Sequence, residues 1–160
     1  CQFAQQELAP NGADTVAFYM SANAGEALKP LNKVASGGEL ARIMLAMKNV
    51  LAEQDQVATL IFDEVDTGVS GRAATKVAQK LKQVSCGKQV ICVTHLAQIA
   101  AVADEHLLIQ KTAKDGHTFT NVTALDYEQK ISEIARIMSG TNITENLYNS
   151  AKELIDRSKK

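Results

Sequence analysis

The sequence lacks any apolar stretch long enough to cross a membrane, although 46% of its 160 residues are hydrophobic. A transmembrane helix needs about 20 consecutive apolar residues. Charge of one sign is also lacking, because 17 lysine and arginine residues stand against 18 aspartate and glutamate residues, for a net charge of −1. The chain therefore does not have the basic composition of a typical nucleic-acid-binding domain. Its length suffices for one domain with its own core.

Cysteine is scarce, with three residues at Cys1, Cys86 and Cys92. The odd number and the absence of a Cys-x-x-Cys pair argue against a disulfide framework or a zinc site. Cys92 lies inside an apolar run and is predicted to be a small buried side chain. We expect a reducing, cytoplasmic compartment.

Alternating strand and helix patterns predict an α/β fold with a mainly parallel sheet flanked by helices. A helix should begin near Gly38, with Ser36 near its N-terminal cap. Its predicted apolar face consists of Leu40, Ile43, Met44, Met47, Val50 and Leu51. The other predicted helices cover about 74–84, 97–103, 131–138 and 143–155. The predicted strands cover 14–20, 57–62, 89–93, 106–111 and 118–125, with a loop over 21–33 and a turn over 114–116.

Two adjacent acids, Asp63 and Glu64, follow the apolar strand at 57–62. Carboxylates at the end of a buried strand are costly unless they meet a cation, water or a phosphate site. In such a site Asp63 would hold Mg²⁺, and Glu64 would orient or deprotonate an attacking water. The alternative is a pair of solvated acids at a strand-to-loop junction.

Residues 36–39 read Ser-Gly-Gly-Glu and directly precede the first predicted helix. The glycines allow backbone N–H groups to approach an anion, and the positive end of the helix points at the same place. Ser36 adds a hydroxyl donor. An ordinary glycine-rich helix cap is the alternative.

His95 follows the strand at 89–93 and is placed to donate a hydrogen bond to a phosphate oxygen. A structural histidine is the alternative for this residue. His106 and His117 have no comparable context and are interpreted as structural or surface residues.

The ordered set of motifs resembles the C-terminal half of an ATP-binding-cassette head of the SMC-like class, and most closely the RecN family of bacterial DNA repair proteins. The resemblance covers about 14–155, and its most specific parts are residues 29–39, 61–71 and 89–98, with further support at 133–140 and 151–154. Transporter cassettes usually carry Gln in place of Glu39 and Pro in place of Val65, which argues against a transporter subunit.

The resemblance implies a single domain over residues 1–160, the lobe of a P-loop NTPase that carries the signature loop, Walker B strand, D-loop and H-loop. Asp63, Glu64 and His95 would serve Mg²⁺ and ATP held by the same head. Ser36, Gly37, Gly38 and Glu39 would contact ATP held by a second head, and Asp66 would lie in the loop that meets it. The implied function is ATP-dependent head dimerisation in double-strand break repair, near the bacterial nucleoid and with DNA as partner.

The sequence has no Gly-x-x-x-x-Gly-Lys-Ser/Thr phosphate loop and no long heptad run. Gly87-Lys88 is followed by Gln89, and Lys82 stands where the first glycine would be. We therefore expect a piece of a longer protein, or a chain that takes its Walker A lobe from another polypeptide. By itself the chain is not expected to hydrolyse ATP. Two alternatives stay open: the head of another SMC-like chromosome-maintenance ATPase, and a non-catalytic interaction lobe.

Overall fold

A computed structural model of the chain describes residues 1–21, 25–33, 36–52, 54, 56–114, 116–140 and 142–158. The strands are β1 (Gln2–Ala9), β2 (Gly12–Ala17), β3 (Tyr19–Met20), β4 (Lys29–Pro30), β5 (Thr59–Phe62), β6 (Gln89–Cys92), β7 (Leu107–Lys114) and β8 (His117–Ala124). The helices are α1 (Gly37–Val50), α2 (Gly71–Ser85), α3 (Ala97–Ala101), α4 (Tyr127–Ser139) and α5 (Glu145–Ser158).

The described residues form four two-stranded sheets, of which only the β5–β6 pair is parallel. The expectation of a mainly parallel sheet is therefore corrected. The strands β7 and β8 pair antiparallel, and only two residues of sequence separate them, a length that allows antiparallel but not parallel pairing. The central residue of the predicted turn, Asp115, lies outside the described residues. The strand predicted over 14–20 is divided between β2 and β3, and β1 was not predicted.

One core cluster fills the space between β5, β6 and the helices α1 and α2. The helix α2 supplies Val77, Ala78, Leu81 and Val84, and the strands supply Leu60 and Phe62. This single apolar stripe on α2 repeats at helical spacing and was predicted from the sequence. The helix α2 therefore covers one face of the parallel strands.

The apolar face predicted for α1 is wrong. Of the predicted face, Leu40, Met44, Val50 and Leu51 are exposed and Ile43 and Met47 are half-buried. The buried residues of this helix are Gly38 and Leu45. Gly38 lets α1 approach the Glu64 carbonyl and Thr67 closely, and much of the surface of the larger apolar side chains stays exposed. The N-terminus was predicted correctly, because Ser36 caps α1 in a reciprocal capping box with Glu39.

A second cluster joins α3, α4 and α5. Ile131, Ile134 and Ile155 are fully buried between these helices. The helix α4 ends as predicted at Gly140, whose positive φ of 82° suits glycine. Among the described residues, no helix combines the length and apolar character needed to cross a bilayer.

Candidate functional site

The predicted site residues converge at the carboxyl ends of β5 and β6. Residues 63–69, called here the strand-end loop, leave β5, and residues 94–96 leave β6 beside it. The parallel pairing brings the two exits together, since Phe62 pairs with Cys92 and the Val93 N–H donates to the Phe62 carbonyl at 2.9 Å. This is the edge at which open α/β sheets usually bind ligands.

Asp63 and Glu64 both lie exposed at the start of the strand-end loop. The backbone N–H of Glu64 donates to Oδ1 of Asp63 at 2.9 Å, which orients the Asp63 carboxylate. Glu64 is the only non-glycine residue with positive φ, 58°, among those described. Left-handed backbone costs about 1 kcal/mol or more in such a residue and often marks a functional position.

The Glu64 side chain lies over the beginning of α1. A Cβ added at Gly37 would stand 2.4 Å from Oε2 of Glu64. A Cβ at Gly38 would stand 2.9 Å from the Glu64 carbonyl oxygen and 2.9 Å from Cβ of Thr67. The two glycines therefore allow residues 36–39 to pack directly against the strand-end loop.

Residues 36–39 satisfy each other through hydrogen bonds. The Ser36 N–H donates to Oε2 of Glu39 at 2.9 Å, and the Glu39 N–H donates to the Ser36 hydroxyl at 3.4 Å. The Glu39 carboxylate thus holds the backbone N–H of Ser36 at the start of α1. A hydroxyl that accepts one bond retains its own O–H, so Ser36 can still donate to an anion. Ala35, which precedes it in the motif, lies outside the described residues.

Asp66 differs from the other acids because it is 4% exposed. Its Oδ2 accepts from the Thr94 hydroxyl at 2.6 Å and from the His95 N–H at 2.9 Å, and lies 3.1 Å from Nδ1 of His95. Burial alone would raise the pKa of Asp66, but these hydrogen bonds and the His95 charge outweigh it and hold the pKa below 3.8. Asp66 was predicted to lie in the loop that meets a second subunit, and within that loop its carboxylate faces into its own lobe.

Two contributions to this site were not predicted. Arg42 on α1 donates to the Thr67 carbonyl at 2.7 Å and to the Val65 carbonyl at 3.4 Å. Thr94 joins Asp66 to the Leu96 N–H at the start of α3. An arginine one turn into a helix is common on solvated faces, so its position in the sequence gives no distinguishing signal.

Two carboxylates of the strand-end loop act on Cys92 at the end of β6. Burial and then the carboxylates of Asp66 and Asp63 raise the pKa of Cys92 to about 11. His106 lies apart from this edge and has a lowered pKa, chiefly because of burial and then because of Lys130. Within the described part of the chain, no three His, Cys, Asp or Glu side chains form a metal site.

Two solved structures share this fold. A chain from a study of ATP-driven dimerisation and DNA-stimulated activation of SMC ATPases matches 85% of this chain and 87% of its own length, with a TM-score of 0.50 and 24% identity. The Smc head domain from Pyrococcus yayanosii matches 81% of this chain and 23% of its own length, with a TM-score of 0.58 and 24% identity. The chain thus has the α/β fold of an SMC ATPase head.

A comparison with curated protein sequences identifies the family to which the chain belongs. The chain is 52% identical to the DNA repair protein RecN of Bacillus subtilis over 149 residues, 93% of this chain. It is 53% identical to RecN of Halalkalibacterium halodurans and 47% identical to RecN of Treponema pallidum. No family model matches. The chain belongs to the RecN family, as a segment that spans about a quarter of the length of these relatives (26–27%).

Proposed function

We propose that the chain is the C-terminal lobe of the ATPase head of a RecN-like protein that acts in DNA double-strand break repair. The observation that carries this proposal is the convergence of Glu64, the start of α1 and the Asp66–His95 pair at one sheet edge. Phosphoryl transfer requires mainly positioning and charge stabilisation, which such a convergence provides.

Each polar residue at the β5 and β6 ends has a separate proposed role. Asp63 supplies one carboxylate for Mg²⁺, which fits a cation that takes one or two protein carboxylates and completes its shell with water and phosphate oxygens. When bound, Mg²⁺ would neutralise charge on the phosphates of ATP. Glu64 orients or deprotonates the attacking water. His95, whose side chain is 77% exposed, contacts the terminal phosphate.

Residues 36–39 are proposed to contact ATP held by a second head. The first N–H groups of an α-helix lack partners within the helix and favour an anion. Gly37 is exposed and adjoins the Ser36 hydroxyl, so both face outward. The Glu64 carboxylate lies beside Gly37, at the place that a Cβ would occupy, so we expect it to rotate away when an anion binds there.

The exposed side of β5 and β6 supports the proposal that a second lobe packs against these strands. Ile61 on β5, Ile91 on β6 and Val93, which follows β6, are 70%, 45% and 51% exposed. Exposed apolar patches of this kind commonly mark interfaces. We propose that a Walker A lobe covers them and supplies the phosphate loop. The same patch would serve the alternative function, an interaction lobe without catalysis.

ATP hydrolysis tests the proposal. This chain alone should be inactive, and the chain mixed with the Walker A lobe of its full-length protein should hydrolyse ATP. Glu64→Gln should lower turnover about 100-fold or more while ATP still binds and holds the heads together. Glu105→Gln, an exposed glutamate away from the β5 and β6 ends, is the matched control. Activity of the chain alone, or normal turnover in Glu64→Gln, would contradict the proposal.

A further inference from the structure

Asp66 is one of three charged or polar side chains that are buried among the described residues. A carboxylate is costly to bury unless donors surround it. Here one oxygen, Oδ2, accepts from the Thr94 hydroxyl and the His95 N–H and faces Nδ1 of His95 at 3.1 Å. All these donors come from the residues that leave β6, so the carboxylate joins the exits of the two parallel strands.

This arrangement conflicts with a contact across a head interface. Only 4% of Asp66 is exposed, and its bonding oxygen is already occupied. Its neighbours Thr67 and Gly68 are the exposed residues of the same loop. The carboxylate therefore acts within its own lobe, and any contact with a second head would fall to its neighbours.

The contact with Nδ1 determines what the other ring nitrogen of His95 can do. A neutral imidazole has one N–H and one lone pair. Because Nδ1 faces a carboxylate, the proton belongs on Nδ1, and Nε2 holds the lone pair on the exposed side of the ring. In an imidazolium ring both nitrogens are donors, so that form donates from Nε2 while Nδ1 stays 3.1 Å from Oδ2 of Asp66.

We propose that Asp66 is a positioning residue that fixes the ring orientation and tautomer of His95, so that Nε2 faces the terminal phosphate of a bound nucleoside triphosphate. This inference rests on the proposed function for the phosphate contact. The tautomer itself depends only on the Asp66–His95 geometry. Thr94 assists, because its hydroxyl donates to Asp66 and accepts from the Leu96 N–H at 3.1 Å, which ties the pair to α3.

Nitrogen NMR of the imidazole rings in this chain tests the tautomer. The chain has three histidines, so His95→Gln assigns the His95 signals. At a pH where the ring is neutral, the wild type should show a protonated Nδ1 and an unprotonated Nε2. Asp66→Ala should shift the ring to the Nε2–H tautomer that free histidine prefers. Asp66→Asn, which keeps an acceptor oxygen, should shift it partly and covers the case in which the alanine variant does not fold.

The wild-type spectrum alone can overturn the inference. A predominantly Nε2–H ring in the wild type would show that Asp66 does not hold Nδ1. An unchanged tautomer in folded Asp66→Asn and Asp66→Ala would show the same. Neither result depends on ATP hydrolysis, so failure of the inference is distinguishable from failure of the proposed function.

Kinetics of the full-length protein test the consequence. Asp66→Asn and His95→Gln should each lower kcat about 10-fold or more, with KM within about threefold of wild type. Together they should cost little more than the larger single effect, since both remove one unit. Asp104→Asn, an exposed acid paired with Lys82, is the control and should keep wild-type kcat. Multiplicative losses, or normal kcat in Asp66→Asn, would overturn the positioning role. An inactive wild type would refute the proposed function and leave the tautomer to be decided by NMR.

Discussion

Two regions of the molecule differ in how completely they are packed. The helical end consists of α3, α4 and α5, and the motif-bearing end consists of β5, β6 and the residues that follow each strand. In α4 and α5, Ile131, Ile134 and Ile155 have no exposed surface. In β5 and β6, Leu60 and Phe62 are buried but Ile61 is 70% exposed. The helices close around their own core, whereas the parallel strands are covered on one face only.

This difference identifies the strands, rather than the helices, as the part of the chain that leaves apolar surface exposed. Parallel strands are normally buried on both faces, and their sequences read as continuous apolar runs. The run from Val57 to Phe62 has that character, yet its side chains alternate between buried and exposed in β5. The motif-bearing end therefore leaves one face of β5 exposed among the described residues, and this is the face that the proposed Walker A lobe would cover.

The largest effect should come from equal truncations at the two ends. Ile134→Ala removes a fully buried side chain and should lower the free energy of unfolding by about 2–5 kcal/mol. Ile61→Ala, the same chemical change at an exposed position, should cost within about 0.5 kcal/mol. Urea unfolding of this chain measures both. Equal losses would mean that β5 is as completely packed as α4.

The two glycines at the start of α1 should also differ. Gly38→Ala forces a methyl group to 2.9 Å from the backbone carbonyl of Glu64 and should cost about 1–3 kcal/mol. Gly37→Ala meets only the end of the Glu64 side chain, which can rotate, so its cost should stay under about 1 kcal/mol. Thermal unfolding of both variants checks this. If Gly37→Ala is the more damaging, the packing of α1 against residues 63–69 is wrong.

Acid should loosen the motif-bearing end before the helical end. The pKa of Asp66 is lowered in the fold, so its stabilising contribution is complete above about pH 4 and is lost as pH falls below 3.8 through the folded pKa. Protonation of a buried, hydrogen-bonded carboxylate should lower the local free energy of unfolding by about 1–3 kcal/mol. Amide exchange at His95 and Leu96 should therefore accelerate below that pH while α4 stays protected.

The Thr94→Val variant sharpens the acid experiment. It removes one donor to Asp66, so its loosening should begin at a higher pH than in the wild type. Uniform exchange at both ends, down to about pH 2, would show that Asp66 contributes no local stability.

The smallest expected effect is a difference in thiol reactivity between two cysteines, and it leaves the fold unchanged. The pKa of Cys92 is raised to about 11, whereas Cys86 and Cys1 are exposed. Because the thiolate is the reactive form, an alkylating reagent near pH 8 should label Cys92 at least about tenfold more slowly than Cys86. Mass spectrometry of the labelled peptides measures each cysteine separately. Equal rates would mean that Cys92 is open to solvent.

Much of the local structure could be predicted because local physics decides it. Ser36 caps α1, the apolar stripe of α2 is buried, and Gly140 ends α4, all as expected from spacing and capping preferences. The apolar face of α1 was misjudged for the opposite reason. Periodicity identifies an apolar side chain but does not say whether this chain supplies its partner.

The sequence by itself determined the RecN-like motif order, the helix ends and the grouping of Asp63, Glu64 and His95 near two strand ends. These follow from residue types at fixed spacing along one chain. Only the tertiary structure decided that Asp66 faces inward to Thr94 and His95, that Arg42 holds the Thr67 carbonyl, and that the Glu64 carboxylate lies beside Gly37. Those contacts join residues that are about 20 to 30 positions apart in the sequence, and the parallel pairing of β5 with β6 brings Asp66 and His95 together.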